Sequence, residues 1–481
     1  MDDDAARLLT NRIYLRLAYR RPEIEKAERY YNGEQPLSFA TDEWRAANAA
    51  RYAGFSDNWC RPVVDAEAER LKVIGFTNIG DDTTIWDSLQ RNEFDAQFSQ
   101  GIVTTLSAKR TFIIVWGDRD GNPQVSFEHP SNVEIEYNWE NGLKRKAALK
   151  TWLDETTEYA TLYTPDDVWK YQRPRQLVVN EYQSQAEQEK QRQSATGGWI
   201  PRVDHGDDTW PTPNLLGVVP VVEMGNRPTL RGDPISEIEG VMPMQDAINL
   251  LWAYLFLSAD YASMPARVLF GEPPKIPILD KDGKVTGSRV VEMKDLAKNR
   301  FMAVTGENAK IDSWEAARLD VFTQVIEISV GHIAAQTRTP PTYLVTNGGI
   351  SNLSADGLAA SEIGLNKKSR EFQTFTNPAM REVARLVALV GSNKELAAQA
   401  QLAVVKWENP EIRSESQMAD AQGKLKAVGY PFEYLLEYAG ESPTNIKRIM
   451  EMKKAEDAEL AALGLLNAAE SASTSIPGPA I

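Results

Sequence analysis

TRTPPTYLVTNGGISNLSADGLAASEIGLNKKSREFQTFTNPAMREVARLVALV, residues 337–390, is the stretch on which the fold turns. It reads as the end of one helix, a loop, and a second, longer helix. The first helix, from about Trp314 to Arg338, sets Phe322, Val325, Ile326, Ser329 and Ile333 on one face at helical spacing. Pro340 and Pro341 stop it, because proline has no N–H to donate and turns its predecessor away from the α region. The loop Thr339–Ser354 carries Asn347-Gly348-Gly349, where positive φ costs little, and Ser354 is placed to cap the next helix. That helix carries Leu358, Leu365, Phe372 and Phe375, then Val383, Leu386 and Val387, with Asn377-Pro378 its one interruption. About 35 residues at 1.5 Å each would span roughly 50 Å, with a kink expected near Pro378. On pattern alone a helical hairpin in a monomeric core explains the stretch; the alternative is a structural part of an assembly.

Working outward, helices are expected at residues 5–31, Trp59–Leu71 and Thr84–Ser107. Arg21-Pro22 is a candidate break in the first, and Asn32-Gly33 its end. The texture changes at Thr111. Strands are expected at Thr111–Trp116, Gln124–Glu128, Val133–Tyr137, Leu143–Leu153, Glu158–Tyr163 and Val168–Tyr171, which makes an antiparallel sheet in an α+β fold. Asn180–Gly198 is rich in Gln and Glu, and its continuation to Asn214 is dense in Pro, Gly and Asp; the whole reads as a peripheral, solvated loop. Leu216–Val222 regains strand character.

A helix from Ile235 to Ser258 begins amphipathic and becomes apolar nearly all round at Leu250-Leu251-Trp252 and Tyr254–Leu257. A helix apolar on every face is buried by neighbours, and in a soluble protein these include other subunits. Pro265–Ile311 is β-rich, with a hairpin turning at Asp280–Lys284, and Ser313 is expected to return the chain to helix. Beyond Val390, Ser414 with Gln417 forms a capping box, Gly429-Tyr430-Pro431 a stop, and Ser442-Pro443 a helix start. A last helix is expected at Asn445–Leu466 and a disordered tail at Ser471–Ile481. No internal repeat is visible.

Composition bounds the function. The 481 residues are enough for two to four domains, with 42% hydrophobic and 25% charged residues as in soluble globular proteins. No run of apolar residues is long enough for a membrane span, and the acidic Met1-Asp2-Asp3-Asp4 start is no secretory signal. A single cysteine, Cys60, excludes an internal disulfide and a thiolate zinc cage, so an intracellular protein is expected. The net charge of −15 argues against tight grip on DNA phosphates but not against a surface past which DNA slides.

The motifs offer no active site. His129, His205 and His332 are scattered, none at metal-ligand spacing to another His or Cys. Asp118-Arg-Asp-Gly-Asn122 and Asp280-Lys-Asp-Gly-Lys284 lack the glycine and remaining ligands of a calcium loop, and Asp-Gly is good turn chemistry. Lys367, Lys368 and Arg370 place positive charge on the long helix: ordinarily a solvated face, functionally a possible phosphate contact. Neither catalysis, nor a cofactor, nor a metal is expected.

The order of elements resembles the portal proteins of tailed bacteriophages, in the branch of long-tailed phages, over about residues 10–460. The resemblance rests first on Leu216-Gly-Val-Val-Pro-Val-Val-Glu-Met-Gly-Asn226, then Gly232-Asp-Pro-Ile-Ser-Glu-Ile-Glu239 and Met244-Gln-Asp-Ala-Ile-Asn249. It rests second on Pro340-Pro341, Ser351-Asn-Leu-Ser-Ala-Asp-Gly357 and the long helix with Lys367-Lys368. The resemblance implies a dodecameric ring at one capsid vertex, with a wing, stem, clip and crown. The wing would be residues 1–231, the stem helices 232–259 and 313–338, the clip 260–312, and the crown 391–470. Residues 339–354 would be a tunnel loop facing the DNA channel through Thr346, Asn347, Gly348, Gly349, Ser351 and Asn352, and 355–390 a spine helix. Subunits would meet through Leu250, Leu251, Trp252, Leu255 and Phe256. The implied partners are double-stranded DNA, the terminase packaging motor, a head–tail adaptor, and the major capsid and scaffolding proteins, with no membrane.

Two other classes remain at this point: a multidomain soluble enzyme with an unrecognised site, and a membrane-associated ring. The absence of clustered His, Cys and glycine fingerprints weighs against the first, and of any spanning segment against the second.

Overall fold

The computed structural model describes residues 1–36, 55–80, 82–118, 120–138, 140, 142, 144–175, 195–203, 209–263, 267–270, 275–290, 310–313, 318–344, 355–411 and 415–473. In chain order these form helix α1 (Asp3–Asn32), α2 (Cys60–Ala68), strand β1 (Val73–Thr77), α3 (Asp82–Arg91) and α4 (Phe94–Ala108). Strands β2 (Arg110–Gly117), β3 (Pro123–Glu128), β4 (Val133–Tyr137), β5 (Arg145–Leu153), β6 (Thr157–Tyr163) and β7 (Asp167–Pro174) follow. The short strands β8 (Ile200–Pro201) and β9 (Thr212–Pro213) precede β10 (Val221–Gly225) and α5 (Met242–Ser263). Then come β11 (Arg267–Phe270), β12 (Lys275–Leu279), β13 (Val285–Val290), β14 (Lys310–Ser313), α6 (Asp320–Thr337), the single turn α7 (Pro341–Leu344) and α8 (Ala355–Val390). The chain finishes with α9 (Lys394–Ala400), β15 (Val404–Trp407), α10 (Glu415–Ala427), α11 (Phe432–Ala439) and α12 (Pro443–Ser473). It divides into two compact units, one of Met1–Gln35, Asn58–Gln245 and Gly331–Ile481, the other of Pro36–Asp57 and Asp246–Val330.

The first unit is built on an antiparallel sheet of order β4-β5-β6-β7-β8, with β9 also paired to β7, and on a smaller sheet of order β10-β2-β3. Successive side chains of a strand point to opposite faces, and β5 shows the consequence. Ala147 and Leu149 join α1 and Trp199 in one apolar cluster, while Ala148 joins Phe112, Ile114 and Val221 in another. α1 lies along β4, and its arginines, spaced four apart, reach β4's edge. Arg12 donates to Glu136 at 3.1 Å, Arg16 to the Ile135 carbonyl at 3.3 Å and Arg20 to the Val133 carbonyl at 3.0 Å. These side chains occupy acceptors that would otherwise recruit another strand. The fully buried Arg173 pairs with Glu158 at 2.7 Å and lies between the rings of Tyr14 and Trp199, 4.2 and 3.9 Å from their centroids.

Several expectations hold. α1 ends with Gly33 in the left-handed region, its N–H returning to the Tyr30 and Arg29 carbonyls. The break read at Arg21-Pro22 does not occur, nor does an interruption at Asn377-Pro378: α1 runs unbroken through Pro22, as α8 does through Pro378. The Asp280–Lys284 turn joins β12 to β13 as a hairpin, with Gly283 at φ +76°. In the second unit, Phe55 packs edge-on against Trp252 and Phe256, and the Trp252 Nε1 donates to Asp57 at 2.7 Å.

Others are corrected. The helix expected at Thr84–Ser107 is two helices, broken where Glu93 takes φ +54°. The break is held by Asn92, which donates to the Ser88 and Pro123 carbonyls at 2.7 and 2.9 Å and accepts from the Val125 N–H at 3.0 Å. Ser313 ends a strand rather than starting a helix. The stretch to Asn214 is not wholly peripheral, because Trp199 and Asn214 are buried; stacking on Arg173 outweighs the polar composition around Trp199. The strand expected at Leu216–Val222 starts five residues later, beyond a turn with Gly217 at φ +65°.

Candidate functional site

The loop residues Thr346, Asn347, Gly348, Gly349, Ser351 and Asn352 lie outside the described residues, as does Ser354. What the structure shows is how the chain on either side is held. α6 closes with Arg338 in the left-handed region (φ +56°) and the Thr339 N–H donating to the Ala334 carbonyl at 3.0 Å. The hydroxyl of Thr337 bonds the Ile333 carbonyl at 2.8 Å and Thr339 Oγ1 at 2.9 Å, which ties the last turn to the residue after it. Pro341 then opens α7 from the first helical position, where a missing N–H costs nothing.

On α8 the three cations separate. Lys367 is exposed, and Arg370 is exposed and bonded to Glu411 at 2.5 Å. Lys368 is 1% exposed, which removes it as a phosphate contact. The reason is helical geometry: adjacent residues point about 100° apart, and Lys368 falls on the buried stripe of Leu365, Ser369, Phe372 and Thr376. Its ammonium donates to the Thr337 carbonyl and to Glu237 Oε2, both at 3.0 Å, and lies 2.9 Å from Glu67 Oε2.

The two carboxylates are not equivalent. Glu237 also accepts from Asn226 Nδ2 at 2.7 Å and from Arg227. Burial pushes its carboxyl up, but Lys368 and Arg227 more than offset this and hold it below the ordinary range. Among the described residues Glu67 makes one ion pair, with the lysine, and neither of its oxygens has a well-aligned hydrogen bond. Burial, opposed by Lys368, pushes its carboxyl up to about 7.

A second buried cation faces the other way. Arg70, just past α2, donates to Asn366 at 3.0 Å, the Pro410 carbonyl at 2.7 Å, the Tyr343 hydroxyl at 2.9 Å and Glu362 at 3.1 Å. α2 thus gives a carboxylate to α8 through Glu67 and receives α8 acceptors through Arg70. Glu67, Arg70 and Glu237 are absent from the sequence-based site: Glu67 and Arg70 meet α8 partners about three hundred residues away, and the segment that contains Glu237 carries no sign of the lysine 131 residues on.

Leu250, Leu251, Trp252, Leu255 and Phe256 on α5 are half-buried within the chain, and Tyr254 is exposed. On α6, Ile326, Val330 and Ile333 are buried, whereas Val321, Val325 and Ile328 are 49%, 42% and 60% exposed. Spacings of four and three set these last three on one stripe. Val325, read on one face with Ile326, Ser329 and Ile333, is exposed while those three are buried.

A cleft of about 1490 Å³ lies within the first unit, with β4, β10 and α8 among its walls. Several of its charges are spent internally: Arg110 bonds Glu223 at 2.7 Å, Tyr137 donates to Glu223 at 2.7 Å, and Arg145 pairs with Glu382. Burial and Glu223 push the Tyr137 hydroxyl far above its ordinary range, so it stays protonated. Among the described residues no cluster of His, Cys, Asp or Glu could hold a metal, and no helix is long and apolar enough to cross a membrane.

The family model for the phage portal protein, SPP1 Gp6-like, matches residues 11–458. The chain belongs to that family. Its role is that of a portal protein, a structural component of the phage head–tail connector. It is 27% identical over 438 residues to the portal protein of Mycobacterium phage D29, covering 87% of this chain and 82% of that one. To the portal protein of Mycobacterium phage L5 it is 26% identical over 438 residues, with the same shares covered. A solved structure of the neck of a native gene transfer agent particle matches with a TM-score of 0.42 and 10% identity, covering 86% of this chain and 92% of that chain.

Proposed function

We propose that twelve copies of this chain close into a ring at one capsid vertex and form the channel for double-stranded DNA during packaging and ejection. The ring docks the terminase motor during packaging and a head–tail adaptor afterwards, and contacts the major capsid and scaffolding proteins during assembly in the host cytoplasm. Residues 1–231 form the wing, 232–259 and 313–338 the stem, 260–312 the clip, 339–354 the tunnel loop, 355–390 the spine helix and 391–470 the crown. The observation that carries the reading is the portal family match over residues 11–458.

Two physical features support it. The exposed stripe Val321, Val325 and Ile328 and the half-buried Leu250–Phe256 segment leave apolar area that adjacent subunits cover. The net charge of −15 suits a wall past which DNA moves without adhering. The role is structural and calls for no catalysis. Electron microscopy and native mass spectrometry of the purified full chain test the reading: closed rings of twelve with a central hole are expected, and only compact monomers would overturn it.

A further inference from the structure

Lys368 is a single lysine set between two carboxylates, all three side chains at most 3% exposed. The donors are unevenly shared. Glu237 takes hydrogen bonds from Lys368, Asn226 and Arg227, and Arg227 spends its other terminal nitrogen on Glu371, 3.7 Å away. Glu371 also faces Arg338 at 3.9 Å, so the outer charges of the group pair among themselves. Glu67 is left with one ionic contact and an Oε1 that nothing touches by hydrogen bond. An ionised carboxylate with an unsatisfied buried oxygen costs far more than the same group carrying a proton. The geometry therefore assigns the proton to Glu67 and the negative charge to Glu237.

Four segments meet at these atoms: α2 through Glu67, α8 through Lys368, the end of α6 through the Thr337 carbonyl, and the Asn226–Glu237 segment that leads to α5. We propose that Glu67 is a proton-operated latch, which holds α2 and the last turn of α6 against α8 while protonated and loosens that junction when it ionises. This goes beyond the channel reading and does not rest on it, since every group named belongs to one folded unit of a single chain.

The sign follows from linkage. The Glu67 carboxyl, which titrates near 7 in the closed junction, returns to its ordinary value of 4.5 once opened to water. The closed form is fully stabilised below the open-form value and loses about tenfold in its ratio to the open form per pH unit up to the closed-form value, then levels off. Glu237 is shifted the other way, so its contribution is lost only on acidification below that window.

Amide hydrogen exchange of the full chain, corrected for intrinsic rates, reads this directly at residues 60–68 and 331–337. From about pH 5 to about pH 7 the protection of wild-type amides is expected to fall about tenfold per unit and then to level off, while Glu67→Gln is flat. A wild-type profile without that fall, or the same fall in Glu67→Gln, would overturn the latch. Should Glu67→Gln fail to fold, Glu237→Gln decides. It leaves Glu67 as the lysine's sole carboxylate partner, which moves the fall to lower pH; an unmoved profile overturns the proposal.

Discussion

The guanidinium of Arg70 donates to Oδ1 of Asn366 at 3.0 Å, although the two residues stand 296 positions apart. Both are buried, and the bond joins the end of α2 to the first half of α8. With Tyr343, Glu362 and the Pro410 carbonyl also on Arg70, one side chain fixes three separate segments, so its removal tests how the long helix is seated.

Arg70→Ala is expected to cost about 3–5 kcal/mol, because it strands the buried Asn366 and Pro410 acceptors and the half-buried Glu362 carboxylate rather than deleting a balanced pair. Arg70→Lys should cost less, since an ammonium reaches some of these acceptors but not all in one plane. Urea unfolding of the full chain measures both. A loss in Arg70→Ala below about 1 kcal/mol would mean that water replaces the guanidinium.

Gly101 on α4 has no room for a methyl group: a Cβ there would stand 2.5 Å from Phe127 Cδ1. Alanine gains about 1 kcal/mol of helix propensity, while overpacking costs about 1–3 kcal/mol. Crowding wins because Phe127 is itself wedged between Phe94 and Phe98. Gly101→Ala should lower the melting temperature, and adding Phe127→Leu should recover part of the loss. An unchanged melting temperature in the single variant would show that the ring can turn aside.

Val325→Asp with Ile328→Asp separates folding from assembly. Both side chains are exposed in the single chain, so unfolding stability should change by about 0.5 kcal/mol or less per site. In a ring each aspartate would be buried against a neighbour without a partner. Monomers with wild-type circular dichroism are expected by sedimentation. Normal rings from this double variant would remove α6's outer stripe from the subunit interface.

Deleting residues 346–350 tests the channel reading of the loop. Small uncharged side chains touch phosphates with little binding free energy, which suits a surface over which DNA slides. Because the flanking helices are pinned through Lys368 and Arg70, rings and capsid incorporation should survive the deletion. Genome packaging or retention should be impaired. Filled, stable heads would place the loop outside the path of DNA.

By itself the sequence determined the elements and their punctuation. Period-two patterns located β2 to β7, and Gly33, Pro341, Gly429 and Ser442-Pro443 marked where helices end or begin. These signals are local: a turn needs its glycine, and a strand its alternation, whatever lies elsewhere in the chain. The order of elements carried the portal resemblance, which the family match over residues 11–458 bears out. Tertiary structure alone decided which polar groups go inside. Lys367, Lys368 and Arg370 read as one positive face, yet Lys368 is buried on Glu237, 131 residues away, and on Glu67. Val325 shares its helical pattern with Ile326 and ends outside, because a periodic stripe is wider than the surface its own chain covers. A charge is tolerated in a core only when the fold brings its counter-charge to it, and no window of neighbouring residues contains that information.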